Sequence, residues 1–213
     1  MNETNTRGNC FKLLAACFYE PDRTLFLEEE VCGNLQSLLA GWAEGAARAA
    51  ANMALSLKAS NQEQLSIDHA ALFIGPFDLL APPYGSVYLE KQRQVMGDST
   101  MQVLQRYREA GLSVDVKEAP DHIAIELEFM HYLSMKEAEA ETAGDAHGAE
   151  KYRDQQNQFY HHALCWVPQF CSAIREGSKS PFYIDLANCL ERFITTCGQI
   201  YSAKSSGANS GKN

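Results

Sequence analysis

The chain has 213 residues, 46% of them hydrophobic and 21% charged, the profile of one ordinary globular domain that buries a core without disulfide or metal staples. Its 27 acidic against 18 basic residues leave a formal charge of −9, a field that repels nucleic-acid phosphates and anionic lipid headgroups and attracts a cationic peptide. No apolar run reaches the roughly 20 residues of a bilayer span, and the polar start lacks the pattern of an export signal, so the expectation is a cytoplasmic protein with no nucleic-acid partner and no membrane insertion.

Helical spacing dominates the chain. Phe11, Leu14, Ala15 and Phe18 recur at three and four positions, and Pro21 closes that first helix. A second helix is expected over 24–40, with Leu27, Val31, Leu35, Leu38 and Leu39 on one side. An alanine-rich third covers 42–57, where small side chains let backbones approach, and a fourth covers 61–73, ended by Gly75 and Pro76. From 75 to 97 the character changes: Pro76, Pro82, Pro83, Gly75, Gly85 and Gly97 are mixed with Phe77, Leu79, Leu80, Tyr84, Val87 and Tyr88. A loop this long and this apolar must pack on the core or bind something.

Helices resume over 98–110, stopped at Gly111, and again from Pro120 as first helical residue, through Asp121 in the first turn, to about residue 141. A helix over 149–166, a break at Pro168 and a last helix over 181–200 follow, and 202–213 reads as a disordered tail. No alternating β pattern appears. The expected fold is therefore all-α: a single compact helical bundle over 1–201.

The seven cysteines, Cys10, Cys17, Cys32, Cys165, Cys171, Cys189 and Cys197, contain no CxxC, which argues against a zinc ribbon or thioredoxin-type site and suits free thiols acting as small hydrophobes. His161 and His162 are adjacent, point to different helix faces, and read as an exposed pair. The segment from Glu118 to Met130 is the densest in chemistry. It places Asp121, His122 and Glu126 at the exposed end of an otherwise apolar helix, His122 and Glu126 one turn apart on the same face. Such a spot accepts hydrogen bonds from a cation and carries a His whose charge can respond to pH; the plain alternative is a cap and a satisfied neighbour.

As metal ligands these residues are too few on one helix, so neither a metal nor a cofactor is expected. A helical metal-dependent hydrolase using Asp121, His122 and Glu126 remains the rival reading. There is no GxxxxGK[ST], GxGxxG or GxSxG, so neither a phosphate cradle for a guanine nucleotide nor a nucleophile elbow is supported. Around the long loop, Leu72, Phe73, Phe77, Tyr84 and Tyr88 offer apolar area beside Asp68, Asp78 and Glu90. That combination suits a peptide with an apolar stretch and basic residues, or else these aromatics are simply core.

Leu72-Phe73-Ile74-Gly75-Pro76, then Pro82-Pro83-Tyr84-Gly85-Ser86-Val87-Tyr88, Gly97-Asp98-Ser99, and Glu118-Ala119-Pro120-Asp121-His122 with Glu126 and Phe129 follow one another in this order. The series resembles the TorD/DmsD/NarJ family of cytoplasmic redox-enzyme maturation chaperones, closest to its TorD/DmsD branch. The fit runs over 68–133.

The resemblance implies an all-helical, non-enzymatic domain that binds the twin-arginine leader of a molybdenum or iron-sulfur oxidoreductase. It also implies a hold on the unfolded catalytic subunit until cofactor insertion and export, translocon components as further partners, and a monomer or domain-swapped dimer. The leader-binding positions it implies are His69, Leu72, Phe73, Phe77, Pro83, Tyr84, Tyr88, Gly97, Asp121 and His122, supported by Gly75, Pro82, Gly85, Ser86, Glu118, Pro120 and Glu126. Some relatives carry Trp where this chain has His69, Phe77, Tyr84 and Tyr88, which implies a smaller apolar pocket and a different preferred client. Carboxylates can accept the forked hydrogen bonds of arginine while aromatic rings cover an apolar segment.

Overall fold

The computed structural model describes residues 3–75, 79–90, 95–113 and 118–208, with side chains up to residue 202. Phe77 lies outside the described residues. In chain order the helices are α1 (Glu3–Ala16), α2 (Arg23–Glu28), α3 (Val31–Leu39), α4 (Glu44–Ala59) and α5 (Gln62–His69), which runs into a π-helical turn (Ala70–Ile74). They continue as α6 (Gly85–Leu89), α7 (Asp98–Glu109), α8 (Ile123–Thr142), α9 (Ala146–Ala163), α10 (Val167–Gly177) and α11 (Pro181–Ala208). The all-α architecture expected from the spacing is the one found.

The bundle is organised around three long packings: α1 and α9 both lie on α8, α4 lies on α11, and α3 bridges α1 and α4. Alanine makes the α4 contact close, with Ala46, Ala47, Ala49 and Ala50 buried beside Met53 and Leu57. Where α1 crosses α8, a Cβ added at Gly8 would fall 2.9 Å from Cβ of Ser134, so glycine sets that distance. Phe11, Phe18, Phe170, Phe182 and Phe193 are among the large side chains in the core. The cysteines are free, all but Cys165 buried, and burial pushes the Cys10 and Cys32 thiols up to about 12.

The stretch 75–97 read as a loop contains the short helix α6, and among the other boundaries that differ from the sequence expectation four have a clear local reason. The helix expected over 24–40 is two, separated by Glu30 in a left-handed conformation (φ 47°). Phe26 and Val31, five positions apart, would point about 140° apart on a straight helix; the break lets both face the core. Pro168, expected to interrupt helix, sits in the first turn of α10, where its missing N–H costs nothing. That helix was legible, since Val167, Phe170, Cys171 and Ile174 are its buried face. The helix expected from Pro120 starts at Ile123, because Asp121 lies in a turn and His122, extended and bridged to Tyr84, is the cap. Lastly, α11 continues to Ala208, beyond the end expected near residue 200, and Tyr201 on it is buried.

One buried polar cluster ties α1, α8, α9 and α11 together. Glu137 accepts from Arg7 (3.2 Å), Arg153 Nε (2.8 Å) and Gln156 Nε2 (2.7 Å), while the Gln156 carbonyl oxygen accepts from Ser134 and Tyr201. A buried guanidinium is tolerated only while its countercharge remains. Glu137→Ala should therefore lower stability by about 3–5 kcal/mol in urea denaturation. A loss below about 1 kcal/mol would show that Arg7 swings out to water instead.

Candidate functional site

The segments 83–86 and 119–123 are far apart in sequence and adjacent in space. Ile123 N donates to Pro83 O (2.8 Å) and Gly85 N to Asp121 O (2.9 Å), around an antiparallel bridge between Tyr84 and His122. Ser86 N donates to Asp121 Oδ2 (2.7 Å), and the Tyr107 hydroxyl from α7 donates to Pro120 O (2.9 Å). This pairing consumes the backbone groups that a helix starting at Pro120 would use. His122 becomes the N-cap of α8 instead, its Nδ1 accepting from Ala124 N (3.2 Å).

Gly85 is fixed by close packing, since an added Cβ would fall 2.8 Å from Trp166 Nε1. Trp166 is buried, stacks on Tyr88 (5.3 Å) and donates Nε1–H to Glu126 Oε2 (3.1 Å).

The turn at Asp121 and the bridge at His122 send these two neighbours to different places. Asp121 joins Ser86 and Glu126 in the wall of a cavity of about 230 Å³, whose other walls include Leu89 of α6, Val103 and Arg106 of α7, and Phe159 and His162 of α9. His122 packs instead between Tyr84 (5.3 Å, edge-on) and Tyr19 (6.1 Å, stacked). Tyr84 donates to exposed Glu118 (2.7 Å) and the Tyr19 hydroxyl bonds exposed Glu128, making an aromatic ledge edged by two carboxylates.

The constellation expected at one exposed helix end is thus divided and sunk. Asp121 (1% exposed), His122 (5%) and Glu126 (1%) are all buried. Asp121 is not in the first turn of α8, and His122 does not share a helical face with Glu126. Leu72 and Phe73 lie in the core, Phe73 among Phe18, Phe170 and Tyr183, and His69 is buried with Nε2 at 3.3 Å from Phe18 O. Pro83 is buried and Pro82 and Tyr88 are half-buried; Gly75 closes the π-helical turn by donating to Ala70 O (2.8 Å). Gly97 is the N-cap of α7, and Glu90 folds over it to accept from Ser99 N (2.9 Å) and Oγ (2.8 Å). The exposed His161 and His162 are where the sequence puts them.

Sequence reasoning missed Trp166, Tyr19, Glu128 and the cavity walls on α7 and α9. The signal for Trp166 was its rarity, one of two tryptophans in the chain.

Burial, aided by the Asp121 charge, holds the Glu126 carboxyl well above the usual carboxylate range despite the Trp166 hydrogen bond. Burial pushes His122 down to about 4, against the pull of Glu118 and Asp121 and with nearby His69 adding to it. The pH response of His122 therefore lies in the acid range rather than near neutrality. Among the described residues no three His, Cys, Asp or Glu side chains are placed to hold a metal ion, so Asp121, His122 and Glu126 do not form the centre the hydrolase reading needs.

Comparison with known proteins gives a consistent set. The family model for the nitrate reductase delta subunit matches residues 39–172. The chain is 30% identical over 139 residues to the Tat proofreading chaperone DmsD of Salmonella typhi, covering 64% of this chain and 62% of that protein. It is 26% identical over 134 residues to the chaperone protein TorD of Vibrio parahaemolyticus, covering 62% of this chain and 61% of the relative. The match thus spans just under two thirds of the length of these curated relatives. A crystal structure titled as a "Putative Redox Enzyme Maturation Protein" from Archaeoglobus fulgidus superposes with a TM-score of 0.54 at 26% identity, covering 85% of this chain and 91% of that one.

The neutral burial of His122 has a measurable consequence. Between pH 6.5 and about 4 the unfolded chain takes up a proton that the folded one refuses, so stability falls as pH drops through that window, by up to roughly 3 kcal/mol. Asparagine keeps an N-cap acceptor and has no proton to bind. Urea denaturation of His122→Asn across this range should show a shallower acid dependence than the wild type, and an unchanged slope would place the lost proton elsewhere.

Proposed function

Since the chain belongs to the nitrate reductase delta subunit family, we propose that it is a cytoplasmic maturation chaperone, not an enzyme, which binds the twin-arginine leader of a redox-enzyme subunit. It holds that leader until the catalytic subunit has received its cofactor, and then hands it to the export machinery. The observation that carries this reading is the joining of the two motif segments into one surface: Tyr19, His122 and Tyr84 present ring faces and edges, with Glu118 and Glu128 beside them. A guanidinium stacks on aromatic faces and accepts a carboxylate as a forked partner, so this ledge has both halves of an arginine site.

In this reading Tyr84 and Tyr19 meet the peptide with His122 buried between them, and Pro83, Gly85, Pro120 and Asp121 are the frame that positions them. Leu72, Phe73 and His69 support the ledge from the core, Tyr88 and Gly97 shape the adjoining segment, and Phe77 keeps the role that the resemblance implies. The net charge of −9 attracts the cationic leader at long range. No helix among the described residues is long and apolar enough to cross a membrane, in keeping with a partner met in solution.

Calorimetry with a synthetic twin-arginine leader tests the reading. Binding should be micromolar or tighter, about −8 kcal/mol, and should weaken when both arginines become glutamine or when salt is added. Absence of heat and of competition with every leader from the organism's redox enzymes would overturn it. Phe73→Ala should cost about 3–5 kcal/mol of stability as a core truncation. Unchanged affinity in its folded fraction would restrict Phe73 to the supporting role, whereas weakened affinity would place it against the peptide.

A further inference from the structure

We propose that α7 is a hinged cover, a helix that opens as a unit while the rest of the bundle stays folded, and that closes over the cavity in whose wall Asp121 and Glu126 lie. The device belongs to the folded chain by itself and holds whether or not a leader binds.

Among the helices of ten or more residues, α7 has the lightest helix–helix packing, chiefly against α6 and α9. Its buried residues are Thr100, Val103 and Tyr107, a single narrow stripe, whereas α8 buries residues around most of its circumference. Tyr107 is the one large anchor, edge-on to Phe129 (4.7 Å) and beside Phe159 (6.1 Å). The cavity of about 230 Å³ lies against α7: Ser99, Val103 and Arg106 wall it on that side, with Asp121, Glu126 and Phe159 among its other walls. A void has no atoms for its lining to touch, so α7 forgoes there the dispersion contacts that hold the other helices down. Segments with few buried apolar contacts are the ones that open locally at a lower free energy than global unfolding.

What holds the cover shut is mostly polar. At its start Glu90 Oε1 accepts from Ser99 N (2.9 Å) and Oγ (2.8 Å), and further along Arg106 Nη1 donates to exposed Gln158 Oε1 of α9 (3.2 Å). Near its end the Tyr107 hydroxyl donates to Pro120 O (2.9 Å), and the Tyr132 hydroxyl of α8 donates to Ala110 O (3.2 Å). Hydrogen bonds that water can replace each contribute little net stability, so these contacts latch the helix without locking it. Glycines stand at both ends: Gly97 is the N-cap and Gly111 follows the helix at φ 80°, a left-handed conformation that glycine adopts without strain. Residues at the ends of an element are where a hinge absorbs backbone rotation.

Opening has a defined consequence. It lets water reach Asp121 and Glu126, each 1% exposed in the closed form, and it releases Pro120 O, one of the fixed points of the joined segments. The packings of α1 and α9 on α8 and of α4 on α11 do not include α7, so the bundle persists while the cover is open.

The chain's own cysteines provide an internal standard for the experiment. Cys10, Cys171 and Cys189 are fully buried on α1, α10 and α11, and their reaction with a thiol reagent reports unfolding of the bundle. A Val103→Cys substitution in a Cys165→Ser background places one thiol on the inner stripe of α7. Under native conditions it should be labelled roughly 100-fold or more faster than those three. Hydrogen exchange of the unsubstituted chain, read by mass spectrometry, should give the same order, with α7 amides exchanging well before those of α8 and α11 and with little dependence on urea. Ser99→Ala and Tyr107→Phe each remove one latch hydrogen bond and should speed α7 exchange roughly 3- to 10-fold, leaving α8 and α11 unchanged.

Labelling of the Val103→Cys thiol in step with Cys189, or exchange of α7 in step with α8 and α11, would overturn the cover. If Val103→Cys disturbs the fold, exchange of the unsubstituted chain decides alone. Unchanged α7 exchange in both latch variants would overturn the latches.

Discussion

The pairing of residues 83–86 with 119–123 is the constraint on which the rest of the site depends. It is only one bridge wide, yet it fixes where α8 begins, turns His122 into a cap, and seats Asp121 on the backbone of Ser86. The same few hydrogen bonds place Asp121 at a cavity and His122 between Tyr84 and Tyr19. Trp166 closes this arrangement from behind: it needs the bare Cα of Gly85 to come close and it orients Glu126 once there.

Helix α8 carries two buried glutamates, treated in opposite ways. Glu137 is surrounded by Arg7, Arg153 and Gln156, so its charge is compensated and its work is to hold four helices in register. Glu126 has a single indole donor, and burial beside an acidic neighbour holds its carboxyl well above the usual carboxylate range. A buried polar group that is fully paired specifies structure, while one left partly unpaired carries a desolvation cost.

The core behind the site is unusually aromatic for the same reason that the site can be so small. Phe18, Phe73, Phe170 and Tyr183 interlock at ring distances of 5.6 to 6.0 Å and hold the π-helical turn that leads into the long loop. With Leu72 and Phe73 committed to that packing, the aromatic rings of this region that reach the surface are Tyr19, Tyr84 and Tyr88.

By itself the sequence determined the helical class, most of the helices, the cysteines as free core residues, and the two motif segments that carry family membership. These are local quantities: the spacing of apolar residues and the order of short motifs. Tertiary structure alone decided that Glu30 breaks a helix to aim Phe26 and Val31 inward, and that Asp121, His122 and Glu126 are buried and part company. It also brought Tyr19 and Trp166, neither of them in the motifs, into the site. The reason is that a helix start, a burial and a pKa each depend on which distant segment supplies the hydrogen bonds and excludes the water. Here that segment is 83–86, whose pairing with 119–123 no periodicity in either stretch encodes.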